Sequence, residues 1–170
     1  GDISNSNQRI KTSSTLRIGG SSQYRSYLEW NISSIPSQSS ISKIDFSYAS
    51  SAEASRQEEI FSISLQPSTA QDDASFGGAN SQLYEDIGAG NEYYDFSHGD
   101  FVILSQFPRR TITLQQLAIA DIQQKIVSNQ KWFAIGITQE NPSSQTVEIY
   151  STEQIIPQQK PSLTITYTSQ

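Results

Sequence analysis

Apolar and polar positions alternate with a period of two from one end of the chain to the other, the spacing of strands with one buried face. Across residues 24–32 one face reads Tyr24, Ser26, Leu28, Trp30 and Ile32, and the other reads Arg25, Tyr27, Glu29 and Asn31. The alternation recurs at Ile44, Phe46 and Tyr48, then at Phe61, Ile63 and Leu65, and again at Val102 and Leu104. Towards the C-terminus it marks Phe133, Ile135 and Ile137, then Val147 and Ile149, and finally Leu163, Ile165 and Tyr167. With a short strand at Leu16 and Ile18, this predicts about eight strands in one all-β domain over residues 1–170.

Turn chemistry falls between these runs. Gly19-Gly20 ends the first strand, and residues 33–40 around Pro36 form a loop. Asn141-Pro142-Ser143-Ser144 predicts a short hairpin between two strands, and Pro161 stands where a closing strand tolerates a missing N–H. One segment follows a helical period instead, with Leu114, Leu117, Ala118, Ile122 and Ile126 on one stripe. It predicts a single short helix near residues 114–127, with Thr113 and Gln116 as a capping box.

Composition narrows the setting. Charged residues make up 16% of the 170, and solubility rests on serine, of which there are 30, and on glutamine. A net charge of −6 without a basic stripe repels phosphate and removes nucleic acid as a partner. The absence of cysteine removes disulfides and thiolate metal sites. No apolar run approaches the roughly 20 residues of a membrane-spanning helix, so no membrane insertion is expected. The chain opens on Gly1-Asp2 and contains no methionine, which reads as a start lost by signal cleavage or by excision from a longer protein. The expected location is secreted or cell-surface. Residues 1–15 form a polar N-terminal arm, and such an arm could donate a strand to a neighbouring sheet edge.

Residues 66–100 break the strand rhythm and read as a long loop, where binding chemistry tends to sit. They hold Asp72, Asp73, Asp86, Asp95 and Asp100, carboxylates of the kind that calcium takes from flexible loops, so a structural Ca2+ is a candidate cofactor. They also hold Tyr84, Tyr93 and Tyr94, which together with Trp132 are candidate platforms for stacking on the CH faces of sugars. Catalytic chemistry is poorly provided for. The one histidine, His98, lies in this loop without a Gly-x-Ser-x-Gly elbow, and scattered carboxylates do not define a glycosidase pair. The chain therefore reads as a non-enzyme. The triplet Asn31-Ile32-Ser33 is an N-glycosylation sequon wherever the host modifies such sites.

The order of pieces at both ends resembles DNRLRE-type modules. Leu16-Arg17-Ile18-Gly19, the run from Tyr24 to Ile32, Ile35-Pro36 and Ile41 are similar to that family's opening. Trp132-Phe133-Ala134-Ile135-Gly136, then Glu148-Ile149-Tyr150-Ser151-Thr152-Glu153, then Pro161 to Tyr167 are similar to its close. About two thirds of the chain is covered. Trp30-Asn31 and Ile44-Asp45 depart from the usual pattern, and the middle of the chain is not shared. The resemblance implies a jelly-roll-like antiparallel β-sandwich of secreted and cell-surface proteins, some of which bind carbohydrate and some of which are repeats of surface or matrix proteins. It also maps the family's arginine-serine pair to Arg25-Ser26, and the position of Arg25 on the face opposite the Trp30 stripe predicts a structural ion-pair partner there, not a ligand contact.

Two functional expectations follow. The first is a non-catalytic extracellular interaction module for adhesion or for binding a polysaccharide or cell-surface glycan. The second is a structural subunit of an extracellular filament or surface layer, its partners copies of itself joined by strand or edge contacts.

Overall fold

The computed structural model describes residues 1–50, 58–95, 109–139 and 146–169, apart from the side chains of Glu58 and Asp95. The strand expected at Val102 and Leu104, the turn expected at 141–144, His98 and Asp100 lie outside the described residues.

Eleven strands, two α-helices and a 3-10 turn follow one another along the described chain. Strands β1 (Asp2–Ile3), β2 (Arg9–Ile10), β3 (Thr15–Gly19), β4 (Arg25–Asn31), β5 (Ser40–Ala49) and β6 (Glu58–Ser62) come first. Helix α1 (Ala79–Asp86), strands β7 (Glu92–Asp95) and β8 (Arg109–Thr113), and helix α2 (Gln116–Val127) follow. Strands β9 (Trp132–Gln139) and β10 (Thr146–Tyr150), the 3-10 turn (Pro157–Gln159) and strand β11 (Ser162–Thr168) complete it.

The strands form an antiparallel β-sandwich. One layer is a six-stranded sheet in the order β2-β1-β4-β9-β6-β7. Opposite it lie β11-β5-β8 and the pair β10-β3, linked by a bridge between Ser50 and Ile149. Alternation explains what meets between the layers. Leu28, Phe133, Ile135 and Ile137 of the first sheet are buried with Ile44, Phe46, Leu16, Ile18, Val147 and Ile149 from the other side. Trp30 and Phe46 meet edge to face across the gap, ring centres 5.9 Å apart. Helix α2 closes the core with Ala118, Ile122 and Ile126, its helical stripe.

The outward face of the six-stranded sheet is covered as well. Tyr27 of β4 and Ala134 of β9 point away from the main core and are buried with Ile3, Ile63, Leu83, Tyr84 and Ile87. The segment carrying α1 thus forms a third layer over β4 and β9. Gly136 makes this close approach possible, since a Cβ there would lie 2.7 Å from Ile87 Cγ2. A half-buried β4 was the expectation from its Arg25, Tyr27 and Glu29 face, and the third layer is why that face is not simply solvated.

Four local expectations change. Residues 66–100 are not one loop, because α1 and β7 lie within them. The capping box at Thr113 does not form: Thr113 ends β8 and donates its hydroxyl hydrogen to Asp45 (2.6 Å), and α2 starts after Gln115, which makes no side-chain cap. Strand β6 presents Ile60 to the main core, with a register shift at Ile60/Phe61, while Ile63 goes to the second core and Leu65 is exposed. Finally, β9 and β10 belong to different sheets and are not a hairpin.

The N-terminal residues lie on the chain's own sheet. Strand β1 pairs on one side with β4 and on the other with β2, so residues 1–10 extend the six-stranded sheet at its edge.

Candidate functional site

The outward side chains of β4 organise the third layer one by one. Arg25 donates to the carbonyl oxygens of Tyr84 (2.7 Å) and Ile87 (2.8 Å), which belong to the unsatisfied C-terminal end of α1. Its guanidinium lies 4.2 Å from the Tyr84 ring centre, with the Glu85 carboxylate 4.0 Å away. A cation at a helix C-terminus also complements the helix dipole. Tyr27 accepts a hydrogen bond from Arg9 Nε (2.9 Å), whose other nitrogens hold the carbonyls of Pro67 and Ala70. Glu29 accepts hydrogen bonds from Gln66 Nε2, Ser68 N and Ser68 Oγ at 2.7–2.8 Å. Arginine, tyrosine and glutamate on one strand face thus become three anchors for the overlying segment.

Among the described residues, two depressions lie beside this layer. At the start of β4, a cleft of about 270 Å³ is lined by Tyr24, Arg25, Glu59, Tyr84, Thr138 and Gln139 among others. Its polar groups are largely engaged: Tyr84 Oη donates to Gln23 O (2.9 Å), and Arg17 lies against the Tyr24 ring at 3.8 Å while donating to its hydroxyl. Burial pushes the Tyr84 phenol above its ordinary pKa. At the other end of β4 lies a wider, open groove of about 610 Å³, lined by Glu29, Trp30, Asn31, Gln66, Ser68, Lys131 and Trp132. Asn31 and Trp132 are direct cross-strand neighbours at the ends of β4 and β9. Asn31 and Lys131 are exposed, and Trp132 is half-buried against the second core. Lys125 Nζ sits 3.3 Å from the centre of the Trp132 ring, and burial holds that ammonium below its usual pKa. This groove brings the Trp132 indole, the Asn31 and Gln66 amides and the Lys131 ammonium into one open concavity, beside the Glu29 carboxylate, which Gln66 and Ser68 already hold. We take it as the candidate site.

The four aromatic candidates are not brought together. Trp132 lines the groove and Tyr84 lines the cleft at the opposite end of β4. Tyr93 is 1% exposed, stacked on Phe133 at 5.8 Å, with its hydroxyl donated to Asp121 (2.7 Å). No face of it is open to a ligand. Tyr94 is half-buried against the main core.

The acidic candidates are likewise dispersed. Asp86 accepts from Ser64 N, Ser64 Oγ and Leu65 N, which makes it a brace for the turn after β6. Asp72 accepts from Asn80 Nδ2 (2.8 Å). Asp73 bonds Ser75, whose hydroxyl and N–H hold its carboxyl below the usual range. Asp95 has no described side chain and Asp100 lies outside the described residues. Among the described residues, no three His, Cys, Asp or Glu side chains converge as a metal would require, and no helix is long and apolar enough to cross a membrane.

The amides and charges of the groove were missed in the sequence. Asn31 and Trp132 stand 101 positions apart, and the pairing of β4 with β9 that joins them leaves no trace in either run. Gln66 and Ser68 carry no periodic signal at all. No family model matches the chain, and no curated protein is similar to it.

Proposed function

We propose that the chain is a non-catalytic, extracellular or cell-surface interaction module that binds a polysaccharide or cell-surface glycan in the Trp132 groove. One observation carries this reading: an open groove where an indole is flanked by the amides of Asn31 and Gln66, with Glu29, Ser68 and Lys131 beside them. Glycan recognition needs an apolar surface for sugar CH groups and surrounding donors and acceptors that fix orientation. The Lys125 ammonium, which also donates to Gln130 Oε1, covers one face of the indole, and its displacement would open a stacking surface. The resemblance of the chain's two ends to DNRLRE-type modules adds support from outside the groove.

Affinity electrophoresis through gels containing neutral and acidic polysaccharides tests the proposal. Retardation by at least one polymer is expected, lost in Trp132→Ala and weakened in Asn31→Ala, with unchanged thermal midpoints for Asn31→Ala. Unretarded migration through every polymer, or retardation that both variants retain, overturns it.

A further inference from the structure

Strand β11 is hydrogen-bonded along one side to β5, in register from Ser162 opposite Ser47 to Thr168 opposite Ser40. Among the described residues no strand pairs with its other side. Such an edge presents a row of unpaired N–H and C=O groups, and proteins that stay monomeric protect it with charges, prolines or bulges. Here the protection is absent from the strand itself. Ser162 to Thr168 reads Ser-Leu-Thr-Ile-Thr-Tyr-Thr, with no charge and no proline inside it. The one irregularity, where Thr166 faces Lys43 and Tyr167 faces Ile41, places the extra residue, Ser42, in β5 and leaves β11 regular.

A groove of about 220 Å³ with a mixed lining, in which Asn31 and Ser34 stand among the apolar side chains, runs beside this edge. Trp30, Ile32 and Ile35 line one wall, and Leu163, Ile165 and Tyr167 line the other. Leu163 and Ile165 are half-buried, Tyr167 is 40% exposed, and Thr164 and Thr166 are exposed on the opposite face of the strand.

We propose that β11 pairs antiparallel with β11 of a second copy of this chain, about a two-fold axis at Ile165. The strand is self-complementary in that register. Leu163 of one copy faces Tyr167 of the other on the groove side, and Thr164 faces Thr166 on the solvent side. Aliphatic–aromatic and Thr–Thr cross-strand pairs are favourable sheet contacts. A two-fold contact uses one patch on both copies and closes on itself. Charge also selects this patch. Each chain carries −6, so most approaches set like charges against each other, whereas this edge is a neutral strip where two copies meet without an opposed pair. Pairing continues each β11-β5-β8 sheet into its copy and covers the groove mouth with Tyr167 of the partner. Trp30 and Asn31 line both this groove and the Trp132 groove, but Thr164 and Thr166 line neither the Trp132 groove nor the cleft, so variants at these two threonines test the pairing apart from the glycan reading.

Sedimentation velocity from micromolar to millimolar concentration tests it. A monomer–dimer equilibrium is expected that strengthens with added salt, as the mutual repulsion of the net charges is screened. Thr164→Glu with Thr166→Glu sets carboxylate against carboxylate at both exposed pairs. It should weaken the dimer at least about tenfold, as should the corresponding double lysine variant. An equimolar mixture of the two should restore a heterodimer. Amide exchange at 162–168 in the unaltered chain should slow as its concentration rises, a readout that needs no variant. A chain that stays monomeric to millimolar concentration, a glutamate variant that dimerises like the parent, or a mixture that forms no heterodimer overturns the proposal.

Discussion

Asp2, only 1% exposed, is held by Arg17 through three N–H groups: the backbone N–H (2.9 Å) and Nε (3.2 Å) on Oδ2, and Nη2 (2.9 Å) on Oδ1. The pair ties β1, which lies between β2 and β4 in the six-stranded sheet, to β3 of the other layer. A buried carboxylate so bonded is costly to disrupt, because removing it leaves a largely covered guanidinium with Tyr24 as its remaining partner. Asp2→Ala is expected to destabilise the fold by about 3 kcal/mol. The check is the urea midpoint at unchanged slope; a loss within experimental error of zero would show that the arm does not brace the layers.

The close approach of α1 to the sheet rests on Gly136. Gly136→Ala places a methyl against Ile87 Cγ2, an overpacked contact expected to cost about 1–3 kcal/mol. Ile87→Ala costs about 2–5 kcal/mol by leaving a cavity, since Ile87 is fully buried. Combined, the two should cost less than their sum, because each relieves the other's fault. Strict additivity in a double-mutant cycle would contradict the third layer.

Arg25 should matter for α1 more than for the sheet. Arg25→Ala removes both hydrogen bonds at the helix C-terminus and the contact with the Tyr84 ring. Amide exchange in residues 79–86 should speed up, with β9 amides little changed and a global loss of about 1–2 kcal/mol. Equal acceleration in both segments would mean that α1 is not a separately anchored layer.

Alkaline stability should depend on Tyr93. Burial, then the hydrogen bond and charge of Asp121, push its phenol far above the ordinary value of 10.0. A group whose folded pKa is raised holds its proton more tightly when folded, so its contribution is complete below the unfolded pKa and is lost as pH rises beyond it. Wild-type stability should therefore fall above pH 10, and Tyr93→Phe should fall less steeply there. Tyr27 and Tyr84, also raised by burial, leave the variant a residual slope. Denaturant unfolding at a series of alkaline pH values measures both; parallel curves would contradict the assignment.

The main sandwich was legible in the sequence because burial between two sheets selects every second residue. Leu28, Phe46, Phe133, Ile135 and Val147 all fall where alternation places them. Helix α2 was legible for the same reason at another period. Helix α1 was not: its eight residues, Ala-Asn-Ser-Gln-Leu-Tyr-Glu-Asp, carry two large apolar side chains, no side-chain cap, and a glycine-rich approach that reads as loop. The second core is assembled from single residues, Ile3, Tyr27, Ile63, Leu83 and Ile87, taken from distant elements. Only Leu83 and Ile87, at i and i+4, share a local period, which is too little to mark a helix. The aromatic candidates were misread in the same way. Composition identifies tyrosines in an acidic stretch, but whether a ring faces solvent, as at a groove, or Phe133, as Tyr93 does, is decided by strand pairing.

The glycan reading has a direct test in the indole N–H signals of the two tryptophans in a proton–nitrogen correlation spectrum. Both line the groove, Trp132 against Lys125 and Trp30 edge to face with Phe46 of the core. Titration with soluble oligosaccharides cut from a retarding polymer should move the Trp132 signal most, with saturable shifts at Asn31 and Lys131. Shifts confined to Tyr24 and Tyr84 at the opposite end of β4, or no saturable shift at Trp132, would contradict it.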